Sequence, residues 1–203
     1  MYLGGICFIT DRRSVEYSFE EMVREVLDAG IAWIQYRDKE GSRREIYRNA
    51  LNLRGITQDR NAVLIVNDHT DVACAIDAEG VHLGQDDLPC RHAREILGGE
   101  KLIGISTHSI EQAIAAETSG ANYIGFGPIF HTATKDAGIP KGVAVLRELR
   151  IQVKIPIVAI GGITAENLQS VLDTGVDAVA VASSILRGDI RKNAGRLLKI
   201  IHS

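Results

Sequence analysis

Three cations, two acids and two pairs of small residues stand out in this chain for the chemistry their types allow. The cations are Arg37, Lys39 and Lys135, the acids Asp68 and Asp87, and the small pairs Gly161-Gly162 and Ser183-Ser184. Cations gathered on one face suit an anionic ligand carrying several phosphate charges. Two carboxylates beside them suit Mg²⁺, which takes few protein carboxylates and completes its shell with phosphate oxygens and water. Backbone amides reach a phosphate most easily where side chains are missing, as at Gly-Gly. Each feature also has a plainer explanation. The cations are solvated loop charges, Asp68 caps a helix ahead of Thr70 or pairs with Lys39 or Arg37, and Gly-Gly is a tight turn. Residue types alone leave both readings open.

Other chemistries find less support. His82 lies within an apolar run and reads as a satisfied interior residue, His92 as a helix-surface residue and His202 as terminal, while His108 and His131 fall near the candidate site. No two histidines have zinc spacing, and no Ser/His/Asp or Cys/His set emerges. The three cysteines, Cys7, Cys74 and Cys90, imply no disulfide framework. Cys7 and Cys74 sit in apolar segments, where a free thiol packs as a small hydrophobe.

The elements that must carry these residues follow from periodicity. Short β-branched runs at 6–10, 31–35, 63–67, 80–83, 102–106, 123–126, 157–160 and 178–181 read as eight strands. Helical patterns at 19–29, 44–58, 71–77, 91–97, 109–119, 143–150, 165–174 and 191–201 alternate with them. Parallel strands need crossovers and helices supply them, so the expectation is a single (β/α)8 barrel, a TIM barrel, spanning residues 1–203 as one domain. Asp28-Ala29-Gly30, Thr118-Ser119-Gly120 and Asp173-Thr174-Gly175 each precede a strand, as glycine C-caps do. An open doubly wound sheet is the runner-up, weakened because no glycine-rich fingerprint follows the first strand. In a barrel the chemistry gathers where strands end, which is where Gln35 to Lys39, Asn67-Asp68, Asp87, Ser106, Gly162 and Ser183 fall. The stretch from Gly127 to Gly138 is the longest without helical pattern and reads as a lid carrying Thr132, Thr134 and Lys135 toward a phosphate.

Composition narrows the partners. A net charge of −3 goes against a nucleic-acid binder or a membrane-surface protein, and no apolar stretch approaches the roughly 18 residues of a spanning helix. A cytoplasmic protein acting on small molecules is expected, with its oligomeric state, homo-oligomer or monomer, left open.

Six blocks taken in order resemble one family. They are Gln35-Tyr36-Arg37-Asp38-Lys39, Asn67-Asp68, the run from His82 to Asp87, the run from Gly104 to His108, the run from Gly127 to Lys135, and the run from Ala159 to Ile163. The chain is similar to the thiamine phosphate synthases from end to end. The resemblance implies a barrel that joins a 4-amino-2-methylpyrimidine diphosphate to a thiazole phosphate and releases diphosphate with Mg²⁺. It implies pyrimidine-diphosphate contacts at Gln35, Tyr36, Arg37, Asp38, Lys39, Asn67, Ser106 and Lys135, with Ser106, Lys135 and Arg37 taking part in catalysis. Asp68 and Asp87 become the Mg²⁺ ligands, and Thr132, Thr134, Gly162, Ala182 and Ser183 the thiazole-phosphate contacts. Ala182 stands where some members carry a larger aliphatic residue. The related thiazole tautomerases carry a histidine at the place of Pro128 and lack part of the basic set, which this chain keeps. A non-catalytic phosphate-ligand sensor is the remaining alternative.

Overall fold

In the computed structural model, which describes residues 4–12, 17–132 and 138–203, eight parallel strands close into a barrel in the order in which they occur in the chain. The strands are β1 (Gly5–Ile9), β2 (Trp33–Tyr36), β3 (Val63–Asn67), β4 (Gly80–Leu83), β5 (Leu102–Thr107), β6 (Tyr123–Phe126), β7 (Ile157–Ile160) and β8 (Ala178–Val181). The helices between and after them are α1 (Phe19–Asp28), α2 (Arg43–Gln58), α3 (Thr70–Ala75), α4 (Cys90–Leu97), α5 (Ile110–Thr118), α6 (Ala144–Gln152), α7 (Leu168–Leu172), α8 (Ser183–Leu186) and α9 (Ile190–Ile201). Closure is direct: Cys7 of β1 pairs in register with Trp33 on one side and Ala180 of β8 on the other.

Local sequence explains where the helices begin and stop. Ser18 and Ser42 open α1 and α2 with capping boxes, each serine accepting the N3 amide while the N3 glutamate accepts the cap amide. Gly30, Gly120 and Gly175 adopt positive φ and turn the chain into the next strand, as their position ahead of strands predicts. Two expectations are corrected. The segment after β7 is helical only over Leu168–Leu172, because the Asn167 side chain accepts the Thr164 amide and donates to the Gly162 carbonyl, closing a turn first. Cys74 is exposed, since α3 buries Thr70, Val72 and Ala73 and turns Cys74 outward.

The two-residue period of the strands sorts side chains into two cores. Outward residues such as Phe8, Ile34, Leu64, Val81, Ile103, Ile124 and Val179 pack under the helices. Inward residues fill the bore, where Cys7, Trp33, Ile65, Tyr123, Val158 and Ala178 form a separate apolar cluster. The Tyr123 ring lies across its register partner Gly104. A Cβ on Gly104 would stand 2.1 Å from the Tyr123 Cζ. No helix among the described residues is long and apolar enough to cross a membrane.

Gly104→Ala should therefore lower unfolding stability by about 1–3 kcal/mol through overpacking of the bore, read by urea denaturation. Unchanged stability would mean that the Tyr123 ring is not held over Gly104.

Candidate active site

Above the apolar bore, the inward positions of β2 to β5 turn polar. Gln35 with Asn67 and His82 with Ser106 form two hydrogen-bonded pairs across neighbouring strands. The Cys7 thiol donates to Gln35 Oε1 at 3.9 Å, and Gln35 Nε2 donates to Asn67 Oδ1 at 2.7 Å. Asn67 faces His82 in register. The His82 ring joins Ser106 Oγ through Nε2 at 2.9 Å and the Tyr123 hydroxyl through Nδ1 at 3.1 Å. Burial pushes His82 down to about 4, so its ring is neutral near pH 7. Burial also raises the Cys7 thiol and the Tyr123 phenol. The bore thus holds an uncharged polar network beneath the rim.

Charge begins beyond the strand ends, on the turns that leave β2, β3 and β4. Lys39 Nζ stands 2.5 Å from Asp68 Oδ2. Asp87 accepts the Gly84 amide at 2.6 Å, and burial together with the neighbouring Asp68 carboxylate raises its pKa. The two acids, from adjacent strands, therefore share one small region, and among the described residues the Lys39 ammonium pairs with one of them. Asp68 has φ of +66°, a left-handed conformation that costs a non-glycine residue of the order of 1 kcal/mol. The expectation of pairing with Lys39 holds, but Asp68 does not cap a helix: α3 has His69 at its N-cap and no side-chain cap bond.

Across the mouth, the ends of β7, β8 and β1 enclose a cavity of about 450 Å³ whose wall includes Arg37, Thr132, Gly162, Ala182 and Ser183. Gly162 has φ of +65°, and a Cβ there would come within 2.3 Å of the His131 carbonyl oxygen. The glycine therefore lets the loop after β6 pack against the loop after β7. Ser183 and Ser184 open the short helix α8 rather than a loop, and their amides have no backbone partner among the described residues. The Ser184 hydroxyl is buried and also without a partner among the described residues.

The remaining expected residues fall elsewhere. Tyr36 points into the helix layer, edge-on to Phe19 at 4.9 Å, with its hydroxyl donating to Asp38 Oδ2 at 3.3 Å. Asp38 accepts the amides of Glu40 and Gly41, shaping the turn that presents Lys39. Thr134 and Lys135 lie outside the described residues.

Several site residues escape a reading by residue type. His82 and Tyr123 look like core from sequence, although His82 occupies the inward phase shared by Gln35, Asn67 and Ser106. Thr10 is buried and clamps Arg37, its hydroxyl donating to the Arg37 carbonyl at 3.0 Å and accepting the Arg37 amide at 2.9 Å. Asp11 and Arg187 line the cavity. Arg187 follows Ser183 by four residues, one helical turn, but the helix between them is too short to mark it in the sequence.

Fold and rim together define a (β/α)8-barrel enzyme whose polar groups gather at the carboxyl ends of its strands. Residues 6–185 match the thiamine monophosphate synthase family, and the chain belongs to it. The thiamine-phosphate synthase of Clostridium novyi is 45% identical over 192 residues, 94% of this chain and 94% of that protein. That of Clostridium acetobutylicum is 42% identical, covering 94% of this chain and 90% of the relative. The solved thiamine phosphate pyrophosphorylase of Pyrococcus furiosus superposes with a TM-score of 0.90 at 43% identity, covering 98% of this chain and 95% of that one.

The neutral state of His82 makes a stability prediction. Above about pH 6.5 the imidazole is neutral folded and unfolded; as pH falls toward 4 only the unfolded chain takes up the proton, so stability declines across that window. The full decline attributable to this residue is about 3 kcal/mol. His82→Gln should flatten the slope between pH 6.5 and 4 in denaturation series, and an unaltered slope would place the titration elsewhere.

Proposed function

We propose that the chain couples 4-amino-2-methyl-5-hydroxymethylpyrimidine diphosphate to 4-methyl-5-(2-hydroxyethyl)thiazole phosphate, giving thiamine phosphate and diphosphate. The observation that carries this reading is the division of one barrel mouth into two unlike halves. An uncharged hydrogen-bonding floor with carboxylates and a lysine above it suits a neutral heterocycle bearing a diphosphate. The cavity beside it, with amides that lack a backbone partner among the described residues and a buried hydroxyl, suits a second ring ending in a single phosphate.

In the reaction, a bond forms between the thiazole nitrogen and the pyrimidine methylene carbon, and the bond from that carbon to the diphosphate oxygen breaks. Diphosphate leaves with the electron pair. The attacking nitrogen has no proton to lose, so the site needs no general base. The pyrimidine amino group donates electrons into its ring, which favours ionisation ahead of attack. Ser106, held from below by neutral His82, would bind that amino group and fix the ring's orientation. Gln35 spends its carbonyl on Cys7 and one amide proton on Asn67 Oδ1, so Asn67 presents its NH₂ group toward the ligand. Arg37 and Lys39 stand where negative charge grows as the diphosphate departs, and the resemblance adds Lys135 to them.

Asp68 and Asp87 would hold Mg²⁺. Lys39 pairs with Asp68, and the neighbouring Asp87, whose pKa is raised by burial and then by the Asp68 carboxylate, would gain a counter-charge from a divalent cation. When bound, the ion would supply charge stabilisation to the leaving diphosphate. Free small-molecule substrates and a cytoplasmic setting belong to the same proposal. The paired acids speak against a sensor, which has no leaving group to stabilise.

Purified protein supplied with both substrates and Mg²⁺ should release diphosphate in step with thiamine phosphate; no release, or release that ignores the thiazole, would contradict the reading. Asp68→Asn should lower turnover by about 100-fold or more. The same change should leave the melting temperature equal or higher, because asparagine tolerates the left-handed backbone and removes repulsion against Asp87. Retained turnover would remove Asp68 from the metal site.

A further inference from the structure

Among the described residues, Arg24, Arg43, Arg54, Arg60, Arg150, Arg191 and Arg196 each form an ion pair. Arg187 is exposed, has no side-chain partner among the described residues, and lines the cavity over β7 and β8. Its backbone is fixed even so. Its amide donates to the Ser183 carbonyl at 3.2 Å, and Asn193 of α9 donates to the carbonyls of Ile185 and Arg187 at 3.1 and 2.8 Å. The side chain therefore starts from a pinned backbone at the cavity wall. A second cavity, of about 190 Å³, adjoins the first and shares Thr164, Ser183, Ser184 and Arg187 with it. The buried, partnerless Ser184 hydroxyl belongs to the same wall.

We propose that Arg187, with Ser184, is a side-chain clamp on the acceptor's phosphate, and that it makes this enzyme discriminate phosphorylated thiazole from the free thiazole alcohol. The inference rests on the reaction proposed above and adds a specificity-determining residue to it. Backbone amides alone accept many anions at modest strength. A guanidinium adds a permanent charge and a two-pronged donor matched to phosphate oxygens. An alcohol lacks both the charge and those oxygens, so it gains nothing from Arg187. The pyrimidine diphosphate, bound over β2 to β5, is not served by this residue either.

The test compares wild type with Arg187→Gln, Arg187→Lys and Ser184→Ala, with circular dichroism confirming that each is folded. Arg187→Gln should raise KM for thiazole phosphate at least tenfold. KM for the unphosphorylated thiazole alcohol and for pyrimidine diphosphate should stay within twofold. Arg187→Lys should recover part of the loss, and Ser184→Ala should show a smaller rise for thiazole phosphate alone. Equal changes for both acceptors, a change in KM for pyrimidine diphosphate instead, or no change at all would overturn the assignment. Calorimetric titration of inorganic phosphate keeps this inference separate from the proposed reaction. Should wild type prove inactive, phosphate binding weakened by Arg187→Gln would uphold the clamp while the reaction fails. Equal phosphate binding by both proteins would end the clamp.

Discussion

A strand in a closed parallel ring has only two places to put a side chain, the bore or the helix layer, and the two-residue period decides which. Everything at the mouth of this barrel depends on that alternation. Ile34 and Tyr36 go out while Trp33 and Gln35 go in, and a shift of one residue would exchange them. Register then stacks the inward residues into levels. The lower level is apolar around Trp33 and Tyr123, and the upper level is polar from Gln35 to Ser106. Because the apolar level closes the bore, the polar level faces only the rim.

That arrangement separates two electrostatic tasks. Burial keeps His82, Tyr123 and Cys7 uncharged, so the floor offers hydrogen bonds without a field of its own. The charged residues stand further along, on the turns that leave the strands, where solvent offsets part of their desolvation. Asp68 combines a left-handed backbone with an acidic neighbour, and among the described residues Lys39 is its ion-pair partner. Such strain persists where the surrounding structure holds it, and here the Asp68 amide is tied to the His82 carbonyl at 2.8 Å. Asp68 is thus anchored to the backbone of the buried His82.

Much of this was legible in the sequence because alternation and glycine C-caps are local signals. The eight strands fall within two residues of their expected limits at either end. The carboxylates at the ends of the third and fourth strands meet as their neighbouring positions require. What escaped depends on contacts between distant residues. The Gln35-Tyr36-Arg37-Asp38-Lys39 run reads as one binding block, yet Tyr36 serves the core and Asp38 shapes a turn, since consecutive residues on a strand face opposite ways. His82 is the satisfied interior residue its place in a strand predicts, but its partners on β5 and β6 could not be named from the sequence. The helix at Ser183 is too short to show a periodic pattern, so Arg187, one turn further on, had nothing to mark it.

The central claim is that one barrel mouth holds two different rings side by side, each in its own half. A crystal structure of the protein with thiamine phosphate, diphosphate and Mg²⁺ tests it most directly. The account predicts the pyrimidine over Gln35, Asn67 and Ser106, the diphosphate and metal at Lys39, Asp68 and Asp87, and the thiazole phosphate in the cavity walled by Gly162, Ser183 and Arg187. A product bound with its two rings exchanged, or outside the mouth altogether, would contradict it.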